Sequence, residues 1–247
     1  MTAGSPDRHE GLRRAVAADA PGTPGSAEPT IRFVADLVCP WCYIAFMRLR
    51  RLLAGTSTAV VWHPFLLNPH LPTAGVSWAH YLERKFGSTA QAQIVHRRTA
   101  QVGAAEGIPF AFGLIRAQPN TVAAHALLLG LSGRACQLEL AEALFRAFFT
   151  AGANLGNEAV LREIAGGLGI DAGDYAALVT APAREAVAEA HAAACASGIA
   201  GVPVCVFGDD HVIAGAQPVE AMAALLDLER YRREQATITA ATARNRP

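Results

Sequence analysis

Two cysteines separated by two residues are the strongest chemical signal in this sequence. Cys39-Pro40-Trp41-Cys42 holds two thiols close enough along the chain to form a disulfide or to supply half of a zinc site. A zinc site needs a second pair of ligands at a matching distance. The remaining cysteines have no such spacing: Cys136, Cys195 and Cys205. The motif therefore predicts thiol–disulfide chemistry, and we expect no metal site.

The position of the motif explains how one of its thiols can be reactive. An apolar strand, residues 31–36, precedes it, and apolar residues at helical spacing follow it. If Cys39 is the N-cap, Pro40 is the first helical residue, where its missing N–H costs nothing. The amides of Trp41 and Cys42 then point at the Cys39 sulfur, and the helix dipole favours a thiolate there by about 0.3–1 kcal/mol. Direct N–H···S bonds must supply most of the stabilisation. Cys39 is predicted to attack, and Cys42 to resolve.

The elements around the motif predict an α/β protein. Strand 31–36, a helix that ends near Gly55 and strand 60–67 form a βαβ unit. Helical patterns broken by glycine and proline occupy most of the middle of the chain. Two strands, a turn at Gly208-Asp209-Asp210 and a helix from Val219 to about Tyr231 follow. The order is thus βαβ, an all-helical insertion domain, then ββα.

This order divides the chain into four parts. We predict a disordered N-terminal extension (1–29), a discontinuous α/β domain (30–76 and 198–232), a helical insertion (77–197) and a flexible tail (233–247).

Composition excludes several classes of function. The 247 residues are 52% hydrophobic and carry 21 basic and 21 acidic side chains, so the formal net charge is zero. A neutral chain lacks the basic surface of a nucleic-acid binder, and no apolar run approaches the roughly 20 residues of a membrane helix. Arg13-Arg14 is not followed by an apolar segment, so we expect no export signal. Without an export signal we expect the cytoplasm, and an odd number of cysteines at irregular spacing is a poor disulfide framework.

Several segments together resemble one family. The chain is similar to the DsbA-like branch of the thioredoxin superfamily, within it to the FrnE-like proteins, which are related to 2-hydroxychromene-2-carboxylate isomerases. The matching segments are 36–43, 62–69, 81–87, 119–121 with His125, 198–203 and 215–218. The resemblance covers about residues 30 to 228 and implies a thioredoxin fold with an inserted helical domain.

The resemblance also implies roles for further residues. Pro203 matches the family's cis-proline, a third catalytic position, and Val202 would offer its backbone to a substrate opposite Cys39. Asn120 and His125 belong to the part of the insertion that faces the cleft in the family. The resemblance further implies that Gly215-Ala216-Gln217 holds a carboxylate of glutathione, as in glutathione-using relatives. No bound cofactor is expected, and glutathione is a candidate redox partner.

Each of these residues also has a structural explanation. With Pro40, Trp41 forms either a lip of the substrate groove or ordinary packing. Asp36 either relays protons to Cys42 or ends a strand. Asn120 is explained as a helix cap and His125 as a core histidine. The 215–217 segment is also a tight turn, and His63 and Asn68 flank the second strand. We expect the three other cysteines to be buried and inert.

Three functions remain open at this point. The first is a thiol–disulfide oxidoreductase or isomerase acting on protein or small-molecule disulfides. The second is a glutathione-dependent isomerase or transferase of the 2-hydroxychromene-2-carboxylate isomerase type. In those relatives a serine usually replaces Cys39 and the second cysteine is usually missing, so the intact pair favours the first. The third is a non-catalytic peptide binder, which the intact motif also disfavours.

Overall fold

The fold is known from a computed structural model that describes residues 28–209 and 211–244. Nearly all of the predicted extension 1–29 lies outside these residues. Its last part does not match the prediction, because Glu28 accepts hydrogen bonds from Thr58 (2.6 Å) and Arg230 (2.9 Å). The ordered part of the chain therefore begins at least two residues earlier than predicted.

A four-stranded mixed sheet forms one part of the structure. Its order is β2-β1-β5-β6, with β1 parallel to β2 and antiparallel to β5. The strands are β1 (Ile31–Ala35), β2 (Val60–Pro64), β5 (Val204–Phe207) and β6 (His211–Ala214). All five residues of β1 are buried, as expected for a central strand covered on both faces. The carboxyl end of this strand points directly at the cysteine motif.

The helices of the described chain number nine. They are α1 (Pro40–Leu52), α2 (Trp78–Phe86), α3 (Thr89–Ala105), α4 (Val122–Gly130), α5 (Cys136–Ala151), α6 (Glu158–Gly166), α7 (Ala172–Leu178), α8 (Ala181–Ala196) and α9 (Val219–Arg244). A 3₁₀ turn spans Phe112–Leu114, and a two-residue ladder pairs β3 (Val76–Ser77) with β4 (Ala117–Gln118). These bounds agree with a thioredoxin fold that carries a helical insertion, so the predicted fold class is confirmed.

The insertion and the sheet share one apolar core. Tyr43 of α1 stacks on Phe145 of α5 with ring centroids 5.0 Å apart, and Phe46 meets the same ring at 5.6 Å. Phe33 of β1 contacts Phe46 and Trp62. Because α1 packs on both the sheet and α5, the helix that begins at the motif is held from two sides.

Two predicted boundaries are wrong. The last helix does not end near Tyr231 but continues to Arg244, so most of the predicted tail is helical. Strand β2 ends at Pro64 rather than near Leu67, because the Leu67 amide bonds a side chain instead of a neighbouring strand. The predicted turn residue Asp210 lies outside the described residues. Among the helices that the structure describes, none is long and apolar enough to cross a membrane.

Candidate active site

The cysteine motif lies at the predicted junction of a strand and a helix. Cys39 is the N-cap of α1 in extended conformation (φ −96°, ψ 112°), and Pro40 occupies the first helical position. Cys39 is 4% exposed and Cys42 0% exposed, whereas Trp41 between them is 40% exposed. Both cysteines are free thiols. Of the two thiols, Cys39 is thus the nearer to the surface, and Cys42 is fully enclosed.

The hydrogen bonds at Cys39 differ from the expectation. In the described chain no backbone amide donates to its sulfur; the amides of Cys42 and Tyr43 bond its carbonyl oxygen at 3.0 and 3.2 Å. A neutral thiol is a weak acceptor, so these amides bond the better acceptor. The thiol itself donates to the carbonyl of Val202, with 3.7 Å between sulfur and oxygen.

Val202 and Pro203 reach this site from the far end of the chain. The peptide bond between them is cis, and it stands just before β5. The carbonyl of Pro203 accepts from the Gly215 amide at 2.8 Å, which ties this segment to the turn after β6. The structure therefore brings together Cys39 and Val202, which are 163 residues apart in the sequence.

Burial changes the acidity of the Cys42 thiol. It is the main cause that raises the pKa of Cys42 well above its ordinary value, and the nearby Cys39 thiol and the Asp36 carboxylate raise it further. Cys42 therefore stays protonated at neutral pH in the dithiol form.

A hydrogen-bond network surrounds Asp36, which is only 1% exposed. One carboxylate oxygen, Oδ1, accepts from the hydroxyl of Thr121 (3.1 Å) and lies 3.3 Å from Nε2 of His125. The other, Oδ2, accepts from the Leu67 amide at 2.7 Å. Asp36 therefore joins the loop before Cys39 to both the insertion and the chain after β2.

The network determines the tautomer of His125. The indole Nε1–H of Trp62 can only donate, and it lies 3.1 Å from Nδ1 of the imidazole. Nδ1 is therefore the acceptor, and Nε2 carries the proton that it donates to Asp36. His125 is fully buried with both nitrogens engaged. This placement agrees with the core-histidine interpretation, and direct contact with a substrate stays a prediction that the placement does not favour.

Asn120 and the 215–217 turn are engaged within the protein. The Asn120 side chain accepts from the Val122 amide (3.0 Å) and donates to the Leu71 carbonyl (2.9 Å), which ties down a loop. It is not the expected helix cap, because the N-cap of α4 is Thr121, and Asn120 stands one residue before it. The Ala216 carbonyl accepts from Arg48 at 2.8 Å, and the Gln217 side chain donates to the Ala214 carbonyl at 2.9 Å. Substrate binding by these residues stays a prediction.

The expectation for the other three cysteines holds only for one. Cys205 is buried, and burial raises its pKa to about 12, so this thiol is inert at neutral pH. Cys136 is half-buried, and Cys195 is exposed with its sulfur 3.8 Å from both ring nitrogens of His191. Cys195 stands one residue after Ala194, and α8 turns only the alanine inward.

A pocket that the sequence did not predict lies beside the network. It encloses about 430 Å³ between the chain after β2 and helix α2. Its lining residues are Leu67, Asn68, Pro69, His70, Leu71, Val76, His80, Tyr81, Arg84 and Lys85. Among the described residues, no group of three or more His, Cys, Asp and Glu side chains could hold a metal ion.

Comparisons with known proteins agree with this geometry. The model of the DSBA-like thioredoxin domain matches residues 30–227. A crystal structure described as a probable DsbA oxidoreductase from Streptomyces coelicolor is 27% identical, with a TM-score of 0.73, and covers 82% of this chain and 90% of that chain. A search of curated proteins found no match.

Two further structures share the fold. A 2-hydroxychromene-2-carboxylate isomerase is 16% identical, with a TM-score of 0.63, over 85% of this chain and 98% of that chain. The cytosolic disulfide reductase DsbM from Pseudomonas aeruginosa is 19% identical, with a TM-score of 0.54, over 85% of this chain and 98% of that one. A second structure of DsbM is described as containing GSH.

Proposed function

This chain belongs to the DsbA-like thioredoxin family, whose members are generally thiol–disulfide oxidoreductases, and we propose that it exchanges disulfides through Cys39 and Cys42. One observation carries the proposal. Cys39 stands at the N-cap of α1 beneath the Val202 carbonyl, and Cys42 lies buried directly behind it. This arrangement supports a role for Cys39 as the thiol that meets the substrate and for Cys42 as the thiol that meets Cys39.

The exchange proceeds in two balanced steps. The Cys39 thiolate attacks a substrate disulfide, an S–S bond forms between them, and one substrate sulfur leaves as a thiolate that takes up a proton. Cys42 then attacks the Cys39 sulfur, the S–S bond to the substrate breaks, and the departing substrate sulfur takes up the proton that Cys42 loses. The substrate disulfide is reduced to two thiols, and the protein dithiol is oxidised to a disulfide.

Burial of Cys42 serves the order of these steps. Its raised pKa keeps it a thiol while Cys39 is free, so it does not compete for substrate. When Cys39 is in the mixed disulfide, Cys42 is the protein thiol beside that bond. The exposed Trp41 and the backbone of Val202 border the same site and are the proposed contacts for the substrate.

Glutathione is the proposed reductant that regenerates the dithiol, and the cytoplasm is the proposed compartment. The structure of DsbM with GSH and its description as a cytosolic disulfide reductase support this choice. Disulfide exchange of this kind needs no bound cofactor.

Trapping experiments test the assignment of the two thiols. Cys39→Ser should abolish reduction of insulin by glutathione in the presence of the protein. Cys42→Ser should accumulate mixed disulfides that mass spectrometry maps to Cys39. Cys195→Ser is the matched control, because it removes the exposed thiol outside the motif, and its activity should equal that of the parent. Mixed disulfides that form on Cys195 instead would overturn the assignment.

A glutathione-conjugation assay discriminates the second function. An isomerase or transferase of the 2-hydroxychromene-2-carboxylate isomerase type would retain activity when Cys42 is replaced, because its chemistry does not use a second cysteine. Loss of insulin reduction together with retained conjugation in Cys42→Ser would favour that alternative.

A further inference from the structure

The pocket beside α2 has the size of a small-molecule site. Its volume of about 430 Å³ lies within the range of roughly 300–1,000 Å³ that is typical of ligand pockets. One wall is the chain from Leu67 to Leu71, and the other is the α2 face that bears His80, Tyr81, Arg84 and Lys85.

The charged side chains of this pocket are all basic. Arg84 and Lys85 line it together with two histidines, and its lining contains no aspartate or glutamate. Neither Arg84 nor Lys85 has a carboxylate within salt-bridge distance in the described chain, whereas Arg48 and Arg51 share Glu106 at 2.7 Å. The pocket therefore carries two positive charges that no described carboxylate neutralises.

Lys85 is held in place at the pocket wall. Its ammonium donates to the Tyr81 hydroxyl at 2.7 Å and lies 5.2 Å from the centre of that ring and 5.9 Å from that of Phe86. Lys85 is also the only lysine in the sequence, beside 20 arginines. An ammonium fixed by uncharged partners keeps its charge available to a ligand.

Leu67 links one wall of the pocket to the redox site. The Leu67 amide bonds Asp36, which stands three residues before Cys39. The Leu67 side chain packs against the same apolar cluster as Val202, whose carbonyl accepts from the Cys39 thiol. At its other end the wall is fixed by the bond from Asn120 to the Leu71 carbonyl. The pocket wall is therefore tied by one hydrogen bond to the loop before Cys39, and by shared packing to Val202.

We propose that this pocket binds the carboxylate-bearing part of a small disulfide substrate, and that Arg84 and Lys85 select for its negative charge. This inference rests on the proposed function and names its substrate class. Guanidinium groups bind carboxylates through two parallel hydrogen bonds, and an ammonium adds a compact charge. The site differs from the 215–217 turn that the resemblance implied, where the Ala216 carbonyl and Gln217 side chain already have partners within the protein.

Substrate charge provides the first test. The reduced protein is mixed with glutathione disulfide, which is anionic, or with bis(2-hydroxyethyl) disulfide, which is neutral, and the rate constant of oxidation is measured for each. In the variant with Arg84→Gln and Lys85→Gln, the rate with glutathione disulfide should fall about tenfold while the rate with the neutral disulfide is unchanged. Arg97→Gln combined with Arg98→Gln is the control, because replacing these two exposed α3 side chains lowers the net charge by the same amount at residues that do not line the pocket.

The outcomes separate the two proposals. If neither disulfide oxidises the protein, the proposed function is wrong. If both do so and the double variant leaves the ratio of their rates unchanged, the oxidoreductase assignment stands and the pocket proposal is overturned. An equal fall in the control with Arg97→Gln and Arg98→Gln would also overturn it, because the effect would then come from net charge.

The single lysine allows a second test that does not depend on activity. An amine-specific reagent modifies the Lys85 side chain and the α-amino group of the N-terminus, and peptide mapping measures each rate. Glutathione disulfide added to the Cys39→Ser protein, which cannot react with it through that thiol, should slow modification of Lys85 several-fold and leave the α-amino group unaffected. Equal rates with and without the disulfide would contradict binding at this pocket.

Discussion

Replacement of Asp36 by asparagine tests the buried network most directly. The side chain keeps its shape, but one carboxylate oxygen becomes an NH₂ group that can only donate. If the NH₂ group faces Leu67, it meets another donor, the Leu67 amide, which in the parent protein donates to the carboxylate at 2.7 Å. If the NH₂ group faces the other way, it meets Thr121 and His125. The Thr121 hydroxyl can rotate to accept, but Nε2 of His125 cannot accept, because the bond from Trp62 to Nδ1 keeps the ring proton on Nε2.

Either orientation therefore leaves at least one buried donor without an acceptor, and the second orientation also costs the Val38 amide its bond to Oδ1. That loss costs about 1–3 kcal/mol, and each of the remaining bonds weakens by about 1 kcal/mol when its acceptor becomes neutral. Relief from burying a charge offsets part of this cost. We expect the free energy of unfolding to fall by about 2 kcal/mol, which corresponds to a decrease in Tm of roughly 4–8 °C for a domain of this size.

Urea denaturation under reducing conditions, followed by tryptophan fluorescence, measures the difference. Asp209→Asn is the matched control. The Asp209 side chain is 68% exposed, and its contact with Arg32 is long, at 3.9 Å, so this substitution should change the free energy of unfolding by less than about 0.5 kcal/mol. Equal effects of the two substitutions would refute the hydrogen-bond accounting at Asp36.

Two further predictions concern the frame of the site. Burial alone would raise the pKa of Glu106, but hydrogen bonds from Arg48 and Arg51 outweigh it and lower the pKa below 4.5. The stabilisation is therefore present above about that pH and is lost as the pH falls through the lowered pKa. Glu106→Gln should cost about 1–2 kcal/mol at pH 7, and this cost should shrink steadily in denaturation curves as the pH is lowered below about 4.5. Gly75 and Gly55 both have positive φ (72° and 78°), but only at Gly75 would a Cβ meet a neighbour, the Gln118 carbonyl at 2.5 Å. Gly75→Ala should therefore lower Tm clearly more than Gly55→Ala. Equal shifts would show that the backbone of the β3–β4 ladder moves away from the added Cβ at little cost.

The motif and the helices could be predicted because their signals are local. Pro40 after Cys39 and the apolar spacing that follows are read within a few residues, and the structure has the helix there. The end of α9 was missed because the segment after Tyr231 is polar and rich in alanine and threonine, with no apolar stripe to extend the pattern.

The surroundings of Cys39 could not be predicted in the same way. Trp62 meets His125 across 63 residues, and His125 meets Asp36 across 89, so no local pattern links them. The sequence offers separate explanations for Asp36 and His125, and only the fold shows that one hydrogen-bond network contains both. The pocket was missed for the same reason, since its two walls come from segments that the sequence separates.

The distance along the chain between Cys39 and Val202 also has a consequence during synthesis. At about 5–20 residues per second, a ribosome needs roughly 8–33 s to add the 163 residues that separate them. During that interval β1 lacks its neighbour β5, and the carbonyl that accepts from the Cys39 thiol does not yet exist. A nascent chain therefore carries the Cys39 thiol well before it contains the carbonyl that covers this thiol in the fold.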